Sequence, residues 1–366
     1  MSSEKNQNLK GNHKEKKHHE VKGLKDFKNH KLETINSLEG FPEIRGIDLE
    51  KPLDLDGFIK GLGSNGFQAT NIGHAIEVFR TMIRENATVF LAFTSNQITS
   101  GNREIIRYLV KNKLVHVIVT TAGGIEEDII KCFKPFVIGD FEVSGRGLFE
   151  KGINRTGNIF VPCDRYLYFE NFMNPFLEGC YQDEKKSNEP YTVRKLMYEL
   201  GRKIDNEDSY LYWAYKNNIP VFCPAITDGS MGDMIYFFKY RRPDFVLDVT
   251  SDMREIVDIA INAPKTGCFI LGGGVAKHHT LNANIYRDGC DYLVLVNTGQ
   301  EFDGSDSGAK IDESISWGKV KVNAMSVKVY CDATIAFPLI VTGALKGTDE
   351  ERKEDTPEIK KNKKEK

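Results

Sequence analysis

The sequence predicts an α/β fold in which a mostly parallel sheet carries helices on both faces, and three observations predict it. Short apolar, β-branched runs recur along the chain without polar alternation. Stretches with helical spacing separate them. Polar and glycine-rich clusters follow the runs, on the side where strands of a parallel sheet would end.

The predicted strands, in order, are Thr88–Phe93, Val115–Thr121, Ile159–Pro162, Val221–Cys223, Phe245–Val249, Cys268–Leu271, Tyr292–Val296 and Val327–Tyr330. Runs this apolar suit strands covered on both faces. Among the predicted helices, Ala75–Ile83 aligns Ile76, Phe79 and Ile83 on one face. Val193–Ile204 aligns Val193, Leu196, Met197, Leu200 and Ile204; Met253–Ile261 aligns Met253, Ile256, Val257 and Ala260. No internal repeat or Pro/Ser-rich linker interrupts this pattern, so one large domain is expected over 39–345.

The 366 residues are 40% hydrophobic and 28% charged, with Lys+Arg 50 against Asp+Glu 52 and a net charge of −2. This balance excludes a fibre, and it argues against a whole-chain nucleic-acid or membrane-surface binder. The ends differ from the rest. Residues 1–38 are predicted to be a disordered basic tail and 346–366 a disordered charged tail, because neither has the apolar surface to offset the entropy of ordering. His13, His18 and His19 could grip a metal ion, but a solvated tail is the preferred reading, and no metal is expected. No apolar run approaches the roughly 18 residues that cross a bilayer, and Met1–Lys10 is polar. The seven cysteines form no Cys-x-x-Cys, which disfavours zinc ribbons and thioredoxin-type sites and favours free thiols in a reducing compartment. Asn86 and Asn154 open formal glycosylation triplets, which are discounted in a chain expected to be cytoplasmic.

The chemistry-bearing residues fall in the clusters after the strands. These are Thr94-Ser95-Asn96, Thr120-Thr121-Ala122-Gly123-Gly124, Thr227-Asp228-Gly229-Ser230, Gly272-Gly273-Gly274, Asn297-Thr298-Gly299 and Asp332-Ala333-Thr334. One glycine after a strand is usually a turn residue. Six clusters in register instead make a rim of hydroxyls, small residues and backbone N–H groups, suited to a pyrophosphate and riboses. The strict Gly-x-Gly-x-x-Gly pattern is absent, so a dinucleotide site of another kind is expected.

Two further segments are dense in reactive groups. Lys277-His278-His279 follows the triple glycine, and Glu301–Gly308 leads through Asp312 and Glu313 to Ser316-Trp317-Gly318-Lys319. The acidic loop fails the EF-hand spacing and would pass for a solvated turn if it stood alone. Beside it stands one of only two tryptophans. Trp and carboxylates together suit an elongated organic cation, although a lone Trp is more often core. A lysine becomes a nucleophile only as the free amine. Spacing does not separate Lys319 from Lys277, Lys310 or Lys321 in that role.

Six strings make a resemblance specific. They are Gly66-Phe67-Gln68-Ala69-Thr70-Asn71, Thr120–Asp128, Thr227–Asp233, Leu271–His279, Gln300–Ala309 and Ser316-Trp317-Gly318-Lys319. Over roughly Arg45 to Leu339 the chain resembles the deoxyhypusine synthase family, whose members use NAD and spermidine to modify one lysine of the precursor of translation initiation factor 5A. The resemblance implies a Rossmann-like domain and a homotetramer with active sites at dimer interfaces. It implies Lys319 as nucleophile and His278 as proton carrier. It implies spermidine binding by Glu126, Glu127, Asp233, His278, Gly304, Asp306, Glu313 and Trp317. For NAD it implies Ser95, Asn96, Thr99, Thr121, Ala122, Gly123, Glu127, Asp228, Gly273, Thr298, Gly299, Asp332 and Ala333. Thr99 and Gly299 replace a Ser and an Ala common in the family, with little change in chemistry or size.

Three rival readings share parts of this pattern. Homospermidine synthase-like transfer of the same aminobutyl group to putrescine would share donor site and nucleophile. A catalytically silent regulatory paralogue would be expected to lack the nucleophile, yet Lys319 is present. A plain NAD-binding hydrolase gives no reason for Trp317 and its carboxylates.

Overall fold

The computed structural model describes residues 40–354, with side chains as far as Leu345. Residues 1–39 and 355–366, which hold His13, His18, His19 and most of the expected tails, lie outside the described residues. Among the described residues, those from Ile44 onward form one compact unit.

Six strands form the central sheet: β1 (Thr88–Phe93), β2 (Val117–Val119), β3 (Val221–Phe222), β4 (Thr266–Leu271), β5 (Cys290–Asn297) and β6 (Val320–Tyr330). Every neighbouring pair is parallel, and the order across the sheet is β3-β2-β1-β4-β5-β6. This is the doubly wound order, with its switch point between β1 and β4. In the centre, Leu91 pairs with both Ile118 and Phe269.

The absence of alternation is explained by what covers the sheet. Leu91, Phe93, Phe269, Leu271, Val294 and Val296 point into one core layer with Phe79 and Phe337. Their strand neighbours Phe90, Ala92, Cys268, Ile270, Leu293 and Leu295 point into the other, with Ile256 and Ala260. Successive side chains face opposite ways, and both ways lead to apolar cover. Each Leu, Ile, Val or Phe side chain among them contributes roughly 1.5–3 kcal/mol by leaving water.

The helices that bear on the site are α1 (Asn96–Thr99), α2 (Asn102–Lys111), α3 (Ala122–Phe133), α4 (Tyr210–Asn217), α5 (Ser230–Arg241), α6 (Gly274–Ala283), α7 (Ile311–Ser316) and α8 (Ala333–Glu354). Helix Val193–Ile204 forms as predicted, and its predicted stripe is buried or packed on the core.

Two predicted strands do not join the parallel sheet. Ile159–Pro162 pairs antiparallel with Ile153–Thr156 and Val137–Ile138. The turn between Thr156 and Ile159 places Gly157 at φ +57°, the left-handed residue a two-residue hairpin needs, so local pairing wins. Within Phe245–Val249 only Leu247–Asp248 is a strand, paired with Tyr191–Thr192. Met253, expected on an apolar face, is exposed, while Ile256 and Ala260 are buried.

Helix α8 continues past Leu345 to Glu354 into the segment expected to be tail. Its Lys, Arg and Glu residues are good helix formers and need no core to extend an existing helix. Among the described residues no helix is long and apolar enough to cross a membrane. All seven cysteines are free, and Cys180, Cys223, Cys268 and Cys290 are buried.

Candidate active site

The six strands deliver their clusters to one edge of the sheet. Ser95 and Asn96 follow β1, Thr121 to Gly123 follow β2, and Asp228 lies in the loop after β3. Gly273 follows β4, Thr298 and Gly299 follow β5, and Asp332 and Ala333 follow β6. Five interstrand steps of about 4.8 Å make a row roughly 24 Å long, so an elongated molecule suits it better than a compact one.

Neighbouring clusters touch closely. A Cβ on Gly123 would stand 2.6 Å from the Ser95 Cβ, and one on Gly273 would stand 2.4 Å from the Ser307 Oγ. The same Ser307 hydroxyl accepts the Gly274 N–H at 2.9 Å. Asp332 accepts the Thr334 N–H at 2.7 Å and its hydroxyl at 2.8 Å at the start of α8. The buried Thr121 Oγ1 has no hydrogen-bond partner in the described chain, leaving a hydroxyl on the rim available to a ligand.

On the β1–β2–β3 side, α3 presents two carboxylates. Glu126 is buried, accepts the Met231 N–H at 2.9 Å, and is pushed up to about 7 chiefly by burial. The Met231 and Ser230 N–H groups oppose that shift, while Asp233 and Asp228 add to it. Glu127 is likewise pushed up to about 7 by burial, although it accepts a hydrogen bond from the Thr99 hydroxyl. Carboxyl groups this reluctant to ionise would gain most from an arriving cation, which favours their charged form.

The β4–β5–β6 side holds the lysines. Lys319 precedes β6, and its backbone carbonyl accepts the Cys290 N–H at 3.1 Å. Its side chain is only 7% exposed. Its Nζ stands 5.9 Å from the centre of the Trp317 ring. Lys277, on α6, is fully buried and donates to the Asp306 carbonyl. Burial is the main cause that pushes the Lys277 amine down, and the charge of Lys319 adds to it against the pull of Asp306 and Glu313. The buried Asp306 Oδ2 lacks a hydrogen-bond partner, with the Lys277 Nζ 3.8 Å away. His278 is exposed on the same helix, its Nδ1 3.2 Å from the Asn282 amide. Gly304 and Glu313 are exposed too.

Trp317 is not core: it is 67% exposed, and Phe302 in the preceding loop is 86% exposed. Within one chain the residues gather into two halves. Glu126 and Glu127 interact with Thr99, Met231, Asp233, Asp228 and Lys131, whereas Lys319 groups with Lys277, Asp306, Glu313 and Trp317.

One residue of the second half escaped the sequence reading. Lys328 is buried, and its Nζ donates to the carbonyls of Gly308 at 2.6 Å, Gly299 at 3.2 Å and Ala309 at 3.4 Å. It thus closes the loop that carries Gly304, Asp306 and Ser307. The signal was a lysine between Val327 and Val329, the one charged residue of the predicted run Val327–Tyr330. Lys310 pairs with Glu301 at 2.8 Å and Lys321 with Asp291 at 2.6 Å, outside this group. Among the described residues no cluster of three or more His, Cys, Asp or Glu could hold a metal ion.

Comparison with known proteins agrees with this geometry. The family model for deoxyhypusine synthase matches residues 57–344. The deoxyhypusine synthase of Senecio vernalis is 50% identical over 332 residues, covering 83% of this chain and 90% of its own. That of Musa acuminata is 48% identical over 338 residues, covering 85% and 90%. A crystal structure from Entamoeba histolytica with the same family designation matches with a TM-score of 0.57 at 30% identity, covering 82% of this chain and 96% of that one. With a parallel sheet of doubly wound order, a polar rim and a buried lysine beside an exposed indole, the chain belongs to the deoxyhypusine synthase family.

Proposed function

We propose that this chain is an NAD-dependent transferase that moves the aminobutyl group of spermidine to a specific lysine of the translation initiation factor 5A precursor and releases diaminopropane. The observation that carries the reading is Lys319, a buried lysine whose amine lies beside Trp317 and within electrostatic reach of Lys277.

The donor set fits the cofactor. Thr121 offers an unpartnered hydroxyl, Ser95 packs against Gly123, Gly273 against Ser307, and Asp228 and Asp332 supply carboxylates. Ser95, Asn96, Thr99, Thr121, Ala122, Gly123, Glu127, Asp228, Gly273, Thr298, Gly299, Asp332 and Ala333 would hold NAD along the rim. When bound, NAD supplies a hydride acceptor for the carbon beside the secondary amine of spermidine, and later a hydride donor.

Glu126, Glu127, Asp233, Asp306 and Glu313 hold the protonated amines, and Trp317 offers its face to the chain of the polyamine. The ring of His278 takes or returns a proton at the reacting amine. The Lys319 Nζ then attacks the carbon of the oxidised polyamine as a free amine. Diaminopropane leaves with a proton, and an imine forms between Lys319 and the four-carbon fragment. The acceptor lysine displaces Lys319 from that carbon, freeing the Lys319 amine and leaving an imine on the acceptor whose reduction would fall to the bound cofactor.

Water would hydrolyse these imines, so the site has to be covered. The exposure of Trp317 and Phe302, with the carboxylates of α3 and the amine of Lys319 in two separate interaction groups, supports completion by a second copy within a homotetramer. The test is borohydride trapping with labelled spermidine and NAD, followed by peptide mapping. Label on the peptide containing Lys319 supports the reading, and label elsewhere overturns it. Offering the factor precursor and putrescine side by side then decides between protein modification and homospermidine formation.

A further inference from the structure

Helix α1 is a four-residue turn between β1 and α2, and it carries Ser95 at its N-cap and Asn96 at its first position. A turn this short has no stability of its own, and its last carbonyls lack helical partners. One side chain collects them. The Lys131 Nζ donates to the carbonyls of Ile98 at 2.8 Å, Thr99 at 3.3 Å and Ser100 at 3.0 Å. An ammonium has three donors, and here all three go to consecutive carbonyls.

Lys131 sits four residues after Glu127 on α3, so both side chains share one face of that helix. The Thr99 hydroxyl joins them, its one proton shared between Glu127 and, at 3.2 Å, the Ser95 carbonyl. The chain turn that bears Ser95, Asn96 and Thr99 is therefore fastened to α3 at two points, Thr99 to Glu127 and Lys131 to the carbonyls. None of the steps set out above uses Lys131.

We propose that Lys131 is a positioning residue for the cofactor: by tying α1 to α3 it holds Ser95, Asn96 and Thr99 where the dinucleotide meets the rim. This deepens the NAD reading and rests on it. Lys131 also bears on Glu127, whose carboxyl burial and Glu126 push up while the Thr99 hydroxyl and, by less, Lys131 pull it down, and which lies near the Tyr166 hydroxyl of Asp164–Ser187. The other charges near Lys131 are Glu104 and Arg103 on α2 and Asp128 on α3.

The experiment measures NAD binding by calorimetry from pH 6 to 9 for the full-length wild type, Lys131→Met and Lys131→Arg. Amide hydrogen exchange is followed over 95–101. The expected result for Lys131→Met is NAD binding weakened about tenfold and faster exchange confined to 95–101. The pH midpoint of NAD binding should also rise, because Glu127 loses a nearby cation. Lys131→Arg should restore the midpoint but only part of the affinity, since a planar fork reaches three consecutive carbonyls poorly. A general loss of packing would not move the midpoint. If Lys131→Met fails to fold, Lys131→Gln, neutral and with two donors, should show the same changes at smaller size. Wild-type binding with an unaltered Lys131→Met affinity and midpoint overturns the role of Lys131 alone. No NAD binding by the wild type overturns the cofactor reading and this proposal with it.

Discussion

Replacing Asp128 by Asn should cost the fold about 3–5 kcal/mol, although Asn has nearly the same shape. Asp128 is fully buried on α3, directly after Glu126 and Glu127. Its Oδ1 accepts the Arg103 Nε at 2.7 Å and the Tyr210 N–H at 3.4 Å. Its Oδ2 accepts the Ser209 hydroxyl at 2.5 Å and the Leu211 N–H at 3.3 Å. It therefore joins α2, α3 and the start of α4. An amide in its place leaves the guanidinium of Arg103, 4% exposed, with only the half-exposed Glu104 carboxylate 3.7 Å away as counter-charge, and it points a donor at donors. At about 2.1 cal/mol/K per residue, a unit of roughly 300 residues has an unfolding entropy near 0.6 kcal/mol/K, so the midpoint should fall by about 5–8 °C. Thermal unfolding at matched protein concentration measures this, because assembly also shifts the midpoint. The double variant Asp128→Asn, Arg103→Met removes both charges and should lie closer to wild type than the single one. A single variant that melts within a degree of wild type would refute the claim that this pair anchors α3.

Other outcomes follow from the same structure. Lys319→Ala should still bind NAD but give no borohydride-trapped adduct; an adduct in that variant would assign the role to another lysine. Trp317→Ala should weaken spermidine binding by tenfold or more and NAD binding by less than threefold, both read by calorimetry, because the exposed indole lies in one half of the site only. Glu126, held near 7 by burial, binds its proton more tightly folded than unfolded, so its contribution to stability is present below about pH 4.5 and lost as pH rises through about 7. The melting temperature of the ligand-free protein should therefore decline over that window, and Glu126→Gln should flatten the decline; parallel curves for the two proteins would contradict it.

Much of this architecture was legible from residue patterns because period and composition answer to burial. Thr88–Phe93 and Val193–Ile204 read correctly because each satisfies a local rule, two-sided burial for the strand and one apolar stripe for the helix. The rim residues were legible for a related reason, since parallel strands place all their exits on one side. Ile159–Pro162 misled because a strand long enough for the sheet was captured by its own hairpin. Lys328 and Lys131 stayed hidden because their partners are backbone carbonyls, which any sequence supplies and only the fold selects. The division of the site into halves depends on strand order, and no local pattern encodes that order.

The pairing of Thr88 with Thr266 at the sheet's centre has a consequence for biosynthesis. On a ribosome adding about 5–20 residues per second, β1 waits roughly 10–35 s before β4 has even been made. Throughout that interval a wholly apolar edge, Val89 to Phe93, has a neighbour on one side at most. The nascent amino-terminal half should therefore be a client for chaperones, with β4 the late segment whose arrival releases it.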